Sequence, residues 1–451
     1  MNKILHIILI SLFSFTIITC AKKSSTSSSS TSDDTNTTSS STSSWTKQIG
    51  TSSKDSGTGV TIDSLGNIYI TGVTEGGLDG NTSNGEGDIF LLKYDSNGNK
   101  QWTRQLGTSL YDVGRGMTVD SSNNVYVTGY TKGELDGYTN SGEYDLFLVK
   151  YDSNGTKQWT RQMGTTERDL GWEVSADTLG NVYLVGFTGK GMDGNTYLGD
   201  RDVILIKYNS SGTKIWSKQL GTSNDDVGWG VKVDLSNNIY VTGFTCGGID
   251  NFTNSVPSDP TGSGCRDYFL MKLDSEGTNL WSDQIGTIYE DRGEDITVDS
   301  SNNVYVVGRT GGAFDGQTNY GENDTFLVKY DLSGTKQWTK QFGSSGDDWG
   351  LGISADSSDN IYITGNIGGP LDGELYNGKG DLFLMKFNSS GTKKWTRIHG
   401  TDDHELSYGE TIDSSGNIYV TGETGGKLDE NTNSGNADIF LVKYNSDGVK
   451  Q

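Results

Sequence analysis

Seven tryptophans, Trp45, Trp102, Trp159, Trp216, Trp281, Trp338 and Trp395, each close the same phrase, as in "KQWTRQ" at Lys100–Gln105 and Lys157–Gln162. Their spacings are 57, 57, 57, 65, 57 and 57 residues, so seven units fill Trp45–Gln451 without remainder. A strict period of this length in units rich in Tyr, Thr, Val and Ile points to a propeller rather than one continuous core. Each unit reads as four strands. In the first, "GVTID" (Gly59–Asp63) is short and small, as an innermost strand near a crowded axis must be. "NIYITGVT" (Asn67–Thr74) and "IFLLKY" (Ile89–Tyr94) have the patterns of covered strands, and "KQWTRQLG" (Lys100–Gly107) is outermost. The "DSNG" between the last two is a hairpin corner with Asn-Gly at its tip. The repeated Trp is expected to pack one blade on the next.

The phase of the repeat predicts how the ring closes. The first Trp strand (Trp45–Gly50) precedes any innermost strand, and the seventh unit (Gly409–Tyr444) lacks an outermost one. The expectation is an all-β, seven-bladed propeller of four-stranded antiparallel blades, closed by the N-terminal strand completing the last blade. Closure of this kind removes exposed sheet edges. Composition agrees: Gly is 64, Pro 3, and a hydrophobic share of 32% demands thin core layers shared between neighbours. The copies of "GNIYVTGxT…DxFLVKYDSxGxKxW" resemble the bacterial beta-propeller repeat family abbreviated SBBP. That resemblance covers nearly all of Trp45–Gln451. It implies a seven-bladed, usually exported propeller, with no settled activity. The sialidase Asp-box fails here, because Asp152 to Gly155 and Gly155 to Trp159 are each one residue too long.

Ahead of the repeats, "MNKILHIILISLFSFTIITC" has a positive Lys3 and an apolar run, Ile4–Thr19, too short to span a bilayer. It reads as a secretory signal over residues 1–19. "IITC" resembles a lipoprotein cleavage box, although Ile17 and Thr19 depart from its commonest residues. Cys20 is then the lipidated residue, with ordinary cleavage or an uncleaved anchor as alternatives. Residues 20–44 carry no core-forming side chains and form a Ser/Thr-rich tether of about 25–30 Å. The expected location is the bacterial cell envelope, at the outer membrane, with the lipid as the sole membrane contact. A net charge of −23 argues against nucleic acid and anionic membrane surfaces as partners. Cys246 and Cys265 flank the loop that holds an eight-residue insertion of the fourth unit, and export permits a disulfide between them.

Short links, Asp63–Asn67 and "DSNG", share one face; long links, Gly50–Gly57 and Thr74–Asp88, share the other. Long loops on a rigid scaffold usually carry binding. Comparing the units with one another points to the same face. The position three after the interblade acid reads Thr58, Arg115, Trp172, Trp229, Glu294, Leu351 and Tyr408. Trp172, Trp229, Arg292, Glu294, Trp349 and Tyr408 are the candidate binding residues, against the alternative that the aromatics fill the channel or pack between blades. Asp55, Asp112, Asp169, Asp226, Asp291, Asp348 and Glu405 recur in register and are expected at the channel mouth. Sevenfold recurrence favours turn capping; calcium is the alternative, since it takes clustered oxygens. "DSNGN" lacks the Gly and terminal Glu of an EF-hand loop. Beyond calcium no cofactor is called for. Catalytic signatures are missing: His399 and His404 are the histidines past the signal, with no Gly-x-Ser-x-Gly elbow and no His-Cys metal spacing. The favoured reading is therefore a binding module for a protein or glycan. A carboxylate-dependent hydrolase or lyase at the channel mouth, and a purely structural envelope protein, are the competing readings.

Overall fold

The computed structural model describes residues 45–255 and 265–451. The signal-like segment, Cys20, the tether and the tip of the blade-four loop lie outside the described residues. Seven four-stranded antiparallel sheets surround an axis. Their innermost strands are Asp55–Ile62, Asp112–Val119, Asp169–Ala176, Asp226–Val233, Asp291–Val298, Trp349–Ala355 and Glu405–Ile412 in blades one to seven. Second and third strands are almost wholly buried, as Ile68–Thr74 and Asp88–Tyr94 illustrate. The outermost strand, such as Lys100–Leu106, is half-exposed.

The core is divided, as a 32% hydrophobic chain requires. Seven clusters each lie between two neighbouring blades. One joins Tyr69, Ile89 and Leu91 of blade one to Met117, Val127, Phe147 and Val149 of blade two. Each blade thus buries both faces, and none has a core of its own. The repeated Trp works at the rim of this layer: Trp102 meets Tyr69 of its own blade at 6.0 Å, and a Cβ on Gly155 of the next blade would stand 3.0 Å from its ring. Gly155 is required twice over, because its φ of +75° also lies in the left-handed region. The hairpin differs from the two-residue Asn-Gly turn. Gly155 N–H bonds to Asp152 C=O, and only the glycine takes positive φ, so the corner is type I followed by a bulge. The Asp152 side chain, accepting the N–H groups of Asn154 and Thr156, selects this form.

The short link of the same face uses one Asp more fully. Asp63 accepts N–H bonds from Leu65 and Asn67, the Asn67 amide, and the hydroxyl of fully buried Tyr69 at 3.0 Å. Every blade repeats this corner.

Ring closure is by the N-terminal strand. Lys47–Ile49 pairs antiparallel with Asp438–Tyr444, with Lys47 opposite Leu441 and Ile49 opposite Ile439. Trp45 N–H bonds to Gln451 C=O at 2.9 Å, which places the two chain ends where consecutive residues stand in the other blades. Apart from strands, the described residues form only short 3-10 turns, and no helix among them is long and apolar enough to cross a membrane.

Candidate functional site

On the long-loop face, each long link is clasped to the next blade. Gly87 bridges Tyr111, Tyr144 bridges Arg168, Arg201 bridges Asp225, Asn323 bridges Asp347, and Lys54 closes the ring on Ala437. Side chains reinforce these clasps. Arg201 pairs with Asp225, Arg266 and Arg292 converge on Glu290, and the Arg168 guanidinium lies 5.1 Å from the Tyr144 ring. Cys246 and Cys265 are joined by a disulfide across the base of the enlarged blade-four loop. The face is held rigidly, which limits the ordering cost of binding.

Between Gly57 and Gly59 the pairing register slips, and it does so at the same place in all seven innermost strands. The residue in the bulge is the variable one of the repeat. A bulge frees a side chain from the ladder and re-aims it. Here Thr58, Arg115, Trp172, Trp229, Glu294, Leu351 and Tyr408 line an axial cavity of about 250 Å³. Glycines flank the bulge because the axis is crowded: a Cβ on Gly59 would stand 2.7 Å from the Arg115 carbonyl oxygen of the next blade.

Four of the six candidate residues therefore share one cavity. Trp172 and Trp229 meet at a tilt of 36° with centroids 4.2 Å apart and rest on Leu170, Phe187, Val227 and Phe244. Arg115 lies 4.6 Å over the Trp172 ring, and no carboxylate stands within ion-pair distance of it among the described residues. The two indole N–H groups are buried without an acceptor. Glu294 pairs with Arg309 at 3.4 Å; burial raises its pKa, and Arg309 and Arg292 counter that. Arg292 and Trp349 stand elsewhere, one position after the interblade acid. Arg292 lies over Phe244, and Trp349 receives the Arg309 guanidinium at 4.3 Å and donates its N–H to Asp347.

The recurrent acids are not at the channel mouth, and the reason is their hydrogen bonding. Asp55 is fully buried in the interblade turn, where it accepts the N–H and hydroxyl of Thr51 and the hydroxyl of Thr74. Asp112, Asp169 and Glu405 repeat this set, Asp226 and Asp291 repeat most of it, and Asp348 takes Ser344 and the Gly368 N–H instead. Burial pushes Asp226 up to about 6 and Asp291 up to about 7. Among the described residues no three Asp, Glu, His or Cys groups converge as a metal centre.

Deeper in the cavity stand carboxyls that the reading of the sequence passed over. Glu173 and Asp295 take a column that is Gly in the other five units, and Glu410 takes one that is Val, Met or Ile in the other six. Glu173 accepts the Val174 N–H, and Asp295 accepts those of Ile296 and Ile353. Both Glu410 oxygens are shut off from solvent, with the Ser354 hydroxyl as the neighbouring donor. Burial, with the Asp295 charge adding to it, pushes Glu173 and Glu410 up to about 8; burial holds Asp295 at about 6. Lys232, which is exposed, is the cation that opposes all three. Extending the comparison of units by two columns would have found them.

A family model described as the beta-propeller repeat SBBP matches residues 44–79, 101–136, 215–250, 280–315 and 337–372. The chain is an SBBP-repeat propeller. Two units of this SBBP propeller fall outside the matched segments, and they are the ones that carry Glu173 and Glu410. It is 22% identical to an uncharacterized WD repeat-containing protein, L264, of Acanthamoeba polyphaga mimivirus, over 84% of this chain and 36% of that protein. It is also 22% identical to the regulatory protein FlaEY of Caulobacter vibrioides, over 80% of this chain and 42% of that one. The SBBP chain thus spans about two fifths of the length of these curated relatives. Among solved structures it is similar to the Pan2 WD40 domain of Neurospora crassa at 9% identity and a TM-score of 0.46, covering 85% and 88% of the two chains. The structure of YCF48 bound to D1 peptide also matches at 9% and 0.46, covering 89% and 94%.

Proposed function

We propose that this SBBP propeller is an exported, lipid-anchored binding module that docks a protein or glycan on its long-loop face. One observation carries the reading, the uneven distribution of contact-forming side chains. Of nine arginines, Arg104, Arg161 and Arg397 lie on outermost strands; the other six, Arg115, Arg168, Arg201, Arg266, Arg292 and Arg309, lie on the long-loop face of blades two to five. Beside them Tyr197, Leu198, Ile288, Tyr289 and Tyr320 are exposed, and clefts of about 350 and 460 Å³ open next to Tyr197 and Tyr289. Arg with exposed aromatics is the composition of interface hot spots, whereas the opposite face exposes single leucines, Leu65, Leu179 and Leu235, on short links, and its cleft of about 460 Å³ has no aromatic or Arg in its lining.

The test compares wild type with Tyr289→Ala plus Tyr320→Ala, and with Trp172→Ala plus Trp229→Ala, against envelope proteins and a glycan panel. Loss of at least about tenfold in affinity is expected for one pair or both. Binding unchanged in both removes the face as the docking surface. Anchoring is tested separately: Cys20→Ser should move the protein from the membrane to the soluble fraction, and retention in the membrane would sink the lipid anchor.

A second reading, a carboxylate-dependent hydrolase or lyase, is supported by the cavity acids. Glu410 near 8 beside Asp295 near 6 sets a protonated and an ionised carboxyl in one pocket, a usual arrangement for acid–base chemistry. Glycan cleaved by wild type and spared by Glu410→Gln would promote this reading over docking.

A further inference from the structure

We infer that the outermost strand of blade four, Asn279–Ile285, takes up an extended basic segment of a partner polypeptide as a fifth strand. The outermost strand of any blade presents a backbone edge, and Lys or Arg on such an edge discourages further pairing. Six blades follow that rule with a cation in each of two columns, as Lys100 and Arg104 do in blade one. Blade four has Asn279 and Asp283 in those columns. The cations elsewhere close the edge. Arg104, Arg161 and Arg397 lie over the Trp of their own strands at 4.9, 5.1 and 5.3 Å, and each donates to the backbone carbonyl of the preceding Thr. The lysine of the other column pairs in all six blades with an Asp of the adjoining long link, Lys100 with Asp79 in blade one.

In blade four none of this closure is present. Asp283 has no N–H to give the Ser282 carbonyl, and its carboxylate accepts the Tyr330 hydroxyl at 2.7 Å instead. Asp250, the acid of the long link, accepts from the Asn279 amide and the Ser282 hydroxyl. Among the described residues neither Asp250 nor Asp283 has a cation within ion-pair distance. Two apolar departures from the repeat stand at the same place on the rim. Leu280, 51% exposed, occupies a column that is Gln or Lys in five blades. Leu332, 49% exposed where the other six hairpins have Ser, stands on the blade-five hairpin whose Gly334 packs on Trp281.

Charge selects the occupant. The two edge columns and the long-link acid sum to +1 in each of the other blades, two cations less one acid, and to −2 in blade four, where Asp250 and Asp283 stand without a cation. A second copy joined through the same edge would bring four carboxylates together, and its other six edges are closed by their own cations. A basic segment supplies what the repeat supplies elsewhere: a Lys for Asp250, an Arg for Asp283, and a backbone N–H for the Ser282 carbonyl. Main-chain bonds of this kind give affinity, and the alternate side chains, apolar ones meeting Leu280 among them, give specificity.

The test is binding of the full chain to labelled acetyl-Lys-Thr-Val-Thr-Arg-Thr-Val-amide, read by fluorescence anisotropy. Two controls accompany it: the same peptide with Glu for Lys and Arg, and a backbone N-methylated form that keeps the charges and cannot pair as a strand. The parent peptide is expected to bind, each control to bind at least about tenfold more weakly, and amide exchange to slow within Asn279–Ile285 in the complex. Asn279→Lys plus Asp283→Arg keeps the fold by restoring the cations of the other six blades, and should weaken the parent peptide at least about tenfold. No binding, equal binding of either control, unchanged binding by the double variant, or protection confined to other strands would each overturn the assignment. Self-association of the chain that the double variant abolishes would also overturn it, since the occupant would then be a second copy. The edge does not depend on the docking proposal, because the Tyr289, Tyr320, Trp172 and Trp229 variants leave it in place and the edge variants leave the long-loop face intact.

Discussion

A chain that begins at Thr51 should fail to form a stable monomeric propeller, while the same chain extended beyond Gln451 by Trp-Thr-Lys-Gln-Ile-Gly should recover it. The deleted strand pairs three residues with Ile439–Leu441 and seats Trp45 5.3 Å from Tyr419 and against Gly98 of blade one. It also supplies Gln48, whose amide donates to buried Asp438 and to Gly426 C=O and accepts the Leu428 N–H. Truncating a packed Trp alone costs about 3–5 kcal/mol, and leaving Asp438 short of a donor adds about 1–3 kcal/mol. Together these approach the whole net stability of about 5–15 kcal/mol typical of a folded protein. The stripped edge of Asp438–Tyr444 would also invite pairing between chains. Thermal melting and size-exclusion chromatography report both effects. The extension restores the unbroken Gln–Trp order of the other blades, so recovery isolates the strand from any effect of the tether. A truncated chain that melts like wild type would show that closure contributes little.

That prediction rests on a part of the fold legible before any coordinates, because it is written as periodicity. Seven Trp at fixed spacing, an outer strand displaced to the front, and corner phrases such as "DSNG" all express backbone requirements that recur in every blade. Aligning the units removes the ambiguity of any one of them. The site was legible only in part, for the opposite reason. A site is a departure from the repeat, and attention went to one departing column, the bulge. Glu173, Asp295 and Glu410 stand one or two columns further on, where an acid replaces Gly or Val, and a surplus of Asp and Glu elsewhere hid them. The recurrent Asp misled by abundance. An acid at a strand start looks like a mouth-lining group until its donors are known, and Thr51 and Thr74 turn Asp55 into the interblade turn. Glycine shows the same limit: Gly107 is invariant among the units because a Cβ there would stand 1.9 Å from Asp88 Oδ1, a contact between distant segments that periodicity alone does not reveal.

Glu410→Val should stabilise the propeller, and by more at pH 8 than at pH 5. Six of the seven interblade clusters include the equivalent residue, Val60, Met117, Val174, Val231, Ile296 or Ile353. The cluster between blades six and seven, around Tyr362, Ile418 and Val420, has no such member, because Glu410 stands there. The sign of the pH effect follows from the direction of the shift. A carboxyl raised from 4.5 to about 8 keeps its proton in the folded state where the unfolded chain has lost it. Its contribution is therefore favourable below about 4.5 and is lost as pH rises toward 8. Each unit of separation corresponds to about 1.4 kcal/mol, so the swing for this one side chain is on the order of several kcal/mol. Val removes that swing and adds apolar burial of about 1–2 kcal/mol. Asp291, Asp226, Asp295 and Glu173 carry shifts of the same sign, so the variant should still be less stable at pH 8 than at pH 5, on a shallower slope. Denaturant melts of both proteins across pH 5–9 give the difference directly. A variant less stable than wild type at every pH would mean that the Ser354 hydroxyl and its surroundings offset the burial of Glu410 in full, and the destabilising role given to that carboxyl would have to be abandoned.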